Sequence, residues 1–426
     1  MKKLTLLALF ITPSLLFAQP KGLDKKAESI LPKVIEWRRH LHQYPELSNR
    51  EYKTADYIAA HLTSLGYEVQ KGIAKTGVVA ILKGGKPGPT IALRADMDGL
   101  PVEERNNLPY KSVEKSDYLG NSVPVMHACG HDTHVAIMMG VAEVLMSVKK
   151  DVPGTVKFIF QPAEEGPPAN EEGGASLMVK EGVLENPKVD AVFGLHINSA
   201  LQTGVLGYKK GAAMASSDWI EIEIEGKQAH GAYPWQSIDP IVVGAQIINS
   251  IQTVVSRMSE LTTAPVVVTI GKINAGVRNN IIPEKLTMGG TIRTLDPAMH
   301  KDVHEKLRRI ITKTAEASGA TATVTIKNMA PVTFNDPKLT EKILPALEKA
   351  SGKDKLVETV WVTGAEDFSY FHQDIPGFYF NLGGRPLTVK PEDAPSHHTP
   401  NFIVDDSNLD VGVKAFVNIV FEYAKK

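Results

Sequence analysis

The segment TVKFIFQPAEEG, residues 155–166, carries the clearest strand signal in this chain and runs into two adjacent glutamates. Its first seven residues form an apolar run of strand length, and the proline and glycine after them end the strand. A helical pattern precedes it from about Asp132 to Lys149, and another apolar strand follows from Ala191 to His196. Strands that alternate with helices indicate a largely parallel sheet covered on both faces.

Further elements on the N-terminal side fit the same alternation. Apolar residues at helical spacing predict helices over Asp24–His42 and Glu51–Leu65, and short apolar runs predict strands over Gly77–Leu82 and Thr90–Arg94. In open parallel sheets, ligand sites form beyond the carboxyl ends of the strands. Three motifs stand at such predicted ends: RADMDG (94–99), QPAEEG (161–166) and GLH (194–196).

The middle of the chain has a different pattern. The segment from Trp219 to Gly226 alternates strictly, with isoleucine at 220, 222 and 224 and glutamate at 221, 223 and 225, which predicts a half-buried antiparallel strand. Asp239 followed by Pro240 is a typical helix start, and this helix should extend to about Met258. The later elements complete the order βαββαβ of a ferredoxin-like sandwich, with strands at 265–273, 285–294 and 321–327 and a helix at 297–318.

Two domains are therefore expected, as the length of 426 residues also suggests. Residues 213–328 form the inserted ferredoxin-like domain. Residues 19–212 and 329–426 form the larger α/β domain, to which a helix over Asp336–Ala350 returns the chain. The fold class is α/β, with a mixed, mostly parallel sheet.

The first 18 residues have the pattern of a signal peptide. Two lysines precede an apolar stretch, Leu4–Phe17, that is shorter than the ~20 residues of a membrane span, and Ala18 suits a cleavage site. We expect an exported protein, periplasmic or secreted, with no stable membrane anchor after cleavage; an uncleaved N-terminal anchor is the alternative.

The 47 basic and 48 acidic residues give a net charge of −1, which indicates neither nucleic acid nor an anionic membrane as a partner.

Residues that bind divalent metals recur in separated turns. Cys129, the only cysteine, precedes His131 by one glycine, and in a loop both side chains can converge, whereas in a helix they would point about 200° apart. His196 ends a predicted strand, and the pair His397–His398 lies in SHHTPNF. Thiolate and imidazole ligands suit Zn, Mn, Co or Ni. Each motif taken alone is equally compatible with a buried cysteine or histidine, but their joint occurrence favours a metal site.

The adjacent glutamates Glu164 and Glu165 point in different directions, so one can bind metal while the other accepts a proton from water. An ordinary acidic loop is the alternative. Only one of His397 and His398 need bind, and His398 is favoured because it leads into Thr-Pro-Asn-Phe. Asp98 is the candidate that orients a ligand histidine through its second nitrogen. Together these residues are typical of a dinuclear metal hydrolase.

The predicted inserted domain carries three further candidates. His230 lies in the glycine-containing turn QAHGAYP, where a histidine donor could stabilise an oxyanion. Arg293 in GGTIRT suits a substrate carboxylate, and Asn279 in VRNNIIP could add a polar contact. Considered singly, each residue is more often an ordinary surface group.

The chain resembles the bacterial and plant metal-dependent amidohydrolases that include hippurate hydrolase and the indole-acetyl-amino-acid hydrolases. These belong with aminoacylase and glutamate carboxypeptidase. The likeness extends from WRRHLHQYPELS (37–48) to HHTPNF (397–402), and MHACGHDTH and QPAEEG are its most specific motifs. It implies a zinc-exopeptidase-like catalytic domain with an inserted lid domain that forms a homodimer.

The resemblance also implies roles for individual residues. Two divalent ions, Mn or Zn with Co or Ni as other candidates, would be held by Cys129, His131, Glu165, His196 and His398. Glu164 would be the general base and acid, and His230 would reach the active site of the neighbouring subunit. Asn279 and Arg293 would hold the substrate's carboxylate or carbonyl. Relatives outside this branch have His-x-Asp at positions 96–98, so the ligand that bridges the metals stays open.

The implied activity is hydrolysis of the amide bond of N-acyl or N-aroyl amino acids, which are small-molecule substrates. An exported dipeptidase or carboxypeptidase, and a deacylase of N-acyl-diaminopimelate, remain alternatives within the same chemistry. A non-catalytic binding protein is a third, which the intact Glu164–Glu165 pair disfavours. The sequence leaves open the acyl group, the amino acid, the native metal and any assembly beyond a dimer.

Overall fold

The structure is a computed structural model that describes residues 19–425, so the expected signal peptide, residues 1–18, lies outside the described residues. The helices are α1 (Leu23–Ser29), α2 (Leu31–Gln43), α3 (Tyr52–Ser64), α4 (His131–Ser147), α5 (Gly174–Lys180), α6 (Pro240–Met258), α7 (Pro297–Ala317), α8 (Pro337–Ser351) and α9 (Leu409–Tyr423).

The strands follow the same chain order. They are β1 (Glu68–Ile73), β2 (Gly77–Lys83), β3 (Lys86–Asp96), β4 (Lys115–Tyr118), β5 (Asn121–Pro124), β6 (Pro153–Gln161), β7 (Ala191–Gln202), β8 (Leu206–Tyr208), β9 (Gly211–Met214), β10 (Ser217–Glu225), β11 (Ala229–His230), β12 (Val266–Ala275), β13 (Ile281–Ile282), β14 (Lys285–Thr294), β15 (Thr321–Ala330), β16 (Thr333–Asn335), β17 (Leu356–Glu358) and β18 (Gly377–Arg385).

The larger sheet has eight strands in the order β1-β2-β6-β3-β7-β18-β8-β17. Its centre is parallel, since β3 pairs in parallel with both β6 and β7, and β7 pairs in parallel with β18. Helices α1–α4, α8 and α9 contribute buried apolar residues to the core on one face, and α5 packs against the other. The predicted α/β fold with a mixed, mostly parallel sheet is confirmed.

The smaller sheet has the order β12-β14-β10-β15, and its neighbouring strands are all antiparallel. The alternation predicted for β10 is observed, because Ile220, Ile222 and Ile224 are buried against α6 and α7. Asp239 caps α6 by accepting hydrogen bonds from two backbone N–H groups, as its sequence predicts. Elements and order match the ferredoxin-like βαββαβ arrangement.

Some predicted elements were wrong in extent, two of them for identifiable reasons. The single helix expected over Asp24–His42 is two helices, because α1 ends at Ser29 and Pro32 occupies the first turn of α2, where its missing N–H cannot continue a helix. The strand expected to end at His196 continues to Gln202, because its pairing with β18 continues beyond that histidine.

Among the helices of residues 19–425, none combines the length and the apolar character needed to cross a membrane.

Candidate metal centre

Three neighbouring strands deliver the candidate residues to one edge of the larger sheet. The parallel pairing of β3 with β6 ends at Asp96 and Gln161, and that of β3 with β7 ends at Arg94 and Gly194. Asp98, the two glutamates and His196 follow immediately after these positions. They therefore converge above the N-terminus of α4, as expected for a site at the carboxyl ends of parallel strands.

The turn Cys129–Gly130–His131 brings the thiol and the imidazole together. His131 is the first residue of α4, one position earlier than predicted, and Cys129 lies outside the helix. Gly130 has a φ of 98°, and a Cβ at this position would lie 2.3 Å from Ile197 Cγ2. Glycine is therefore required here both for the backbone conformation and for the close approach of β7.

The ligand-type atoms lie at separations that suit bound metal ions. Cys129 Sγ is 3.4 Å from His196 Nε2 and 3.3 Å from His398 Nε2. His398 Nε2 is 2.9 Å from Glu165 Oε1. Atoms bound to one zinc ion at its usual bond lengths lie about 3–4 Å from each other. The sets Cys129/His131/His196 and Cys129/Glu165/His398 each fit within 4.8 Å.

Hydrogen bonds leave the Nε2 atoms of two histidines free to bind. His131 Nδ1 lies 3.1 Å from Asp98 Oδ1, and His196 Nδ1 lies 2.5 Å from the carbonyl oxygen of Ile197, so in both rings Nδ1 carries the proton. His131 Nε2 is buried and has no hydrogen-bond partner among the described residues. An orphaned ring nitrogen costs about 1–3 kcal/mol unless it is satisfied, which fits a metal ligand.

Asp98 ties the separate parts of the centre together. Besides the bond to His131, its carboxylate accepts hydrogen bonds from Ser48 Oγ at 2.7 Å and from the backbone N–H groups of Glu164 and Glu165 at 3.1 Å each. One buried carboxylate thus orients His131 and holds the glutamate turn against it.

The structure distinguishes the two adjacent histidines. Both ring nitrogens of His397 are used by the backbone: Nε2 accepts from the N–H of Ser199 at 3.2 Å, and Nδ1 lies 3.1 Å from the carbonyl oxygen of Cys129. His398 adopts a φ of 63°, which directs its Nε2 towards Cys129 and Glu165. The geometry therefore favours His398 over His397 as a metal ligand.

A buried charge network lies behind the centre, and most of its members were not predicted from the sequence. Arg94 is fully buried and bonds Asp96, Glu366 and Asp367. Asp96 in turn accepts from His134 Nδ1, and His134 Nε2 accepts from the N–H of Ile197 at 2.8 Å. His134 is therefore fully occupied as a positioning residue. Two features of the sequence could have indicated this network. Arg94 ends the apolar strand run TIAL with a charge, and GAEDF, residues 364–368, contains two adjacent acidic residues.

Burial and neighbouring charges shift the pKa values of the candidate ligands in different directions: the pKa of His196 is lowered well below its ordinary value, chiefly by burial, whereas three others are raised. Burial, with the charges of Glu366 and Glu165, raises the pKa of Glu164 well above its usual range. Burial also raises the pKa of the Cys129 thiol. Burial lowers the pKa of His131, but the charges of Asp96 and Asp98 outweigh it and raise that pKa to about 10. Divalent cations would displace these protons when they bind.

A cavity of about 690 Å³ opens from the ligand cluster. Glu164, Glu165, His196 and His398 line its inner end. Apolar residues form much of the remaining wall, called the apolar wall here: Ala200, Leu201, Ala213, Met214, Val357, Val360 and Val362. Lys209, Glu358 and Thr359 also line the cavity. This volume lies within the ~300–1,000 Å³ of small-molecule sites, and polar groups at one end of an apolar cavity can fix the orientation of a ligand.

The three candidates from the predicted inserted domain do not line this cavity within one chain. His230 is exposed on β11, and its Nδ1 accepts from the N–H of Ala232 at 3.0 Å. Asn279 is exposed in the following loop, and Arg293 is half-buried on β14. None of the three lines the cavity beside the ligand cluster.

An α/β sheet that gathers thiol, imidazole and carboxylate ligands around a glutamate at the inner end of a cavity defines a metal-dependent hydrolase. The chain belongs to Peptidase family M20/M25/M40, whose sequence profile matches residues 92–422. It is thus an enzyme of that hydrolase family, which confirms the superfamily predicted from the motifs.

Relatives within the family have different activities. The chain is 40% identical to thermostable carboxypeptidase 1 of Saccharolobus solfataricus over 92% of its own length and 96% of that protein. It is 36% identical to N-acetyl-L-cysteine deacetylase of Bacillus subtilis, over 92% of its length and 88% of that protein. The structure superposes with a TM-score of 0.77 on the Bacillus subtilis YXEP protein, described as a dinuclear metal binding peptidase from the M20 family, at 34% identity and covering 93% and 99% of the two chains.

Proposed function

We propose that the protein hydrolyses the amide bond of N-acyl or N-aroyl amino acids and releases a carboxylic acid and a free amino acid. The observation that carries the proposal is the position of Glu164, which lines the cavity between the metal-ligand cluster and the apolar wall. The apolar wall suits an acyl or aroyl group, and the match to an N-acetyl amino acid deacetylase supports this substrate class.

Cys129, His131, Glu165, His196 and His398 have the chemistry to hold two divalent ions, with Mn or Zn as first candidates and Co or Ni as others. When bound, such ions polarise a carbonyl and acidify water. Glu164 accepts the proton of the attacking water and later donates it to the nitrogen of the leaving amino acid. Burial raises the pKa of Glu164, which suits the half of the transfer in which the carboxyl holds and donates the proton. The positive charge of bound ions would favour the carboxylate form that accepts the proton first.

His230 acts in this proposal from a second copy of the chain. It is exposed and far enough from the cavity not to line it, so a homodimer formed through the smaller sheet would bring it to the site of the other subunit. Two features support that surface. Strand β12 is an open edge of the smaller sheet, and apolar side chains are exposed beside it, namely Ile241, Val242, Val267 and Ile273. Asn279 and Arg293 would then bind the carboxylate or carbonyl of the substrate.

A second candidate function is an exported carboxypeptidase or dipeptidase of the same family. The match to thermostable carboxypeptidase 1 at 40% identity favours it. Both candidates share the centre and the proton transfer by Glu164, and they differ in whether the wall receives an acyl group or an amino acid.

Export itself rests on residues 1–18, and N-terminal sequencing of protein from the native host tests it: a mature chain that begins at Met1 contradicts export.

The experiment compares kcat/KM for N-acetyl, N-benzoyl and indole-acetyl amino acids with that for dipeptides, after chelation and again with Mn or Zn restored. We expect metal-dependent release of the amino acid, with N-acyl substrates preferred. A preference for dipeptides would establish the second candidate instead.

A matched pair of variants tests whether the apolar wall receives the acyl group. Leu201→Asn places an amide on the wall and should reduce turnover of N-benzoyl substrates more than that of N-acetyl substrates, because only the larger group reaches it. Val113→Asn changes an equally apolar residue that is 79% exposed and lines no part of the cavity, so it should alter neither. Equal effects of Leu201→Asn on both substrates would contradict this placement.

A further inference from the structure

A second group of metal-binding side chains lies on the smaller sheet, outside the cavity of the proposed active site. Asp218 at the start of β10 is fully buried, and His300 and His304 lie one turn apart on α7 above it. His300 Nε2 is 2.8 Å and His304 Nε2 is 3.2 Å from the same oxygen, Asp218 Oδ2. The two imidazole rings contact each other edge to face, with centroids 4.3 Å apart.

The Asp218 carboxylate is an unusual group to bury. Among residues 19–425 its ion-pair partners are these two histidines, with no lysine or arginine within ion-pair distance. Its other oxygen accepts a hydrogen bond from Asn328 Nδ2 at 2.8 Å. A buried carboxylate requires a compensating positive charge or a complete set of donors. Ser216 Oγ also donates to Asp218 Oδ2, at 3.5 Å, and His300 Nε2 lies 3.0 Å from Oδ1. The unsatisfied atom of the group is His304 Nε2, which is buried and has no hydrogen-bond partner among the described residues.

We propose that Asp218, His300 and His304 bind a third divalent transition-metal ion, of the zinc class. Two histidines one turn apart on a helix face one direction and are a common zinc-binding arrangement. The three ligand atoms lie within 4.8 Å of one another, and the measured separations approach the ~3.3 Å between ligands of a tetrahedral zinc ion. Asn328 would hold the carboxylate in position through its second oxygen.

The surroundings give the ion an entry path and a structural role. His300 also lines a cleft of about 330 Å³ with Pro297 and Val332, from which solvent can reach the cluster. Asn328 also contacts the turn that follows GAEDF, because the hydroxyl of Tyr370 donates a hydrogen bond to the backbone carbonyl oxygen of Asn328 at 3.3 Å. A bound ion would fix α7 to β10 beside this junction. None of the three ligands lines the cavity that holds Glu164.

The test counts zinc ions per chain by equilibrium dialysis and elemental analysis, on purified protein without an affinity tag, since oligohistidine would add sites. Wild type is compared with His300→Gln and His304→Gln, which keep a polar side chain of similar size. His40→Gln is the control, because His40 is exposed on α2 and belongs to neither cluster. Circular dichroism verifies that each variant is folded, and thermal unfolding is recorded with and without zinc.

We expect each cluster variant to bind one zinc ion fewer than wild type and to gain less in Tm when zinc is added, while His40→Gln matches wild type in both. His131→Gln should lose zinc from the other centre and keep the ion at Asp218, which separates the two sites. Equal zinc content of wild type and both folded cluster variants would overturn the proposal. Because the measurement does not use amide hydrolysis, its result is independent of the proposed function.

Discussion

Replacing Asp98 by asparagine should weaken metal binding without changing any ligand. The side chain keeps its size, but one carboxylate oxygen becomes an NH₂ group. Each oxygen of Asp98 now accepts two hydrogen bonds: Oδ1 from His131 Nδ1 and the N–H of Glu164, and Oδ2 from Ser48 and the N–H of Glu165. In either orientation of the amide, a donor that faced an oxygen then faces another donor.

The less costly orientation places the NH₂ group towards Ser48, whose hydroxyl can rotate to accept. The N–H of Glu165 then loses its acceptor, and His131 keeps a neutral acceptor instead of a charged one. Partners of this kind are worth about 10–100-fold in metal affinity. At about 1.4 kcal/mol per tenfold change, this corresponds to about 1.4–2.8 kcal/mol of binding free energy.

The assay is competition for zinc or manganese against a chromogenic chelator, at fixed pH, with Asp98→Asn and wild type side by side. Asp56→Asn is the control, because Asp56 is a surface residue whose side chain is 68% exposed and pairs with Lys71. We expect the predicted loss of affinity in Asp98→Asn alone. If Asp98→Asn binds metal as tightly as wild type, then Asp98 does not position His131 for binding.

Three further predictions concern the same region. The pKa of His131 is raised from 6.5 to about 10, so its stabilising effect is fully present below pH 6.5 and is lost as the pH rises through 10; the Tm of chelated protein should fall over this range, and less steeply in His131→Gln. His398→Gln should lower zinc affinity in the chelator assay whereas His397→Gln should not, and the reverse order would show that the wrong histidine is assigned. Arg38→Met should destabilise the protein by about 3–5 kcal/mol in urea unfolding, since it leaves the buried Asp132 without its guanidinium partner 3.0 Å away. The exposed control Arg105→Met should cost no more than about 1 kcal/mol. Equal effects of the two variants would contradict the importance of burial.

The fold could be predicted largely because its segments have strong local patterns. The isoleucine–glutamate alternation of β10 and the Asp239–Pro240 start of α6 both appear where the sequence places them. The order of strands in the larger sheet could not be predicted, since β3 lies between β6 and β7 through pairings of distant residues, such as Ile91 with Val156 and with Ala191. The continuation of β7 past His196 likewise depends on its neighbour β18, which no local pattern reveals.

The candidate site shows the same division between local and long-range information. Residue types in turns were sufficient to nominate Cys129, His131 and the glutamates. They favoured His398 over His397 only for its place before Thr-Pro-Asn-Phe. The structural distinction depends on a backbone N–H of Ser199, about two hundred residues earlier in the chain. The charges of Arg94 and Glu366 are evident in the sequence, but their pairing is not, since it joins β3 to a turn far along the chain. His230 is exposed in the single chain, so the role predicted for it requires the proposed homodimer.

The most direct test of the proposed mechanism is Glu164→Gln, measured for both metal content and amide hydrolysis. Glutamine has nearly the same size but cannot take a proton, and general base catalysis contributes about 10²–10⁴-fold. We expect this variant to bind as much metal as wild type and to release amino acids from N-acyl substrates at least about 100-fold more slowly. Turnover at the wild-type rate with metal bound would contradict the account, since Glu164 would then not be the group that moves the proton.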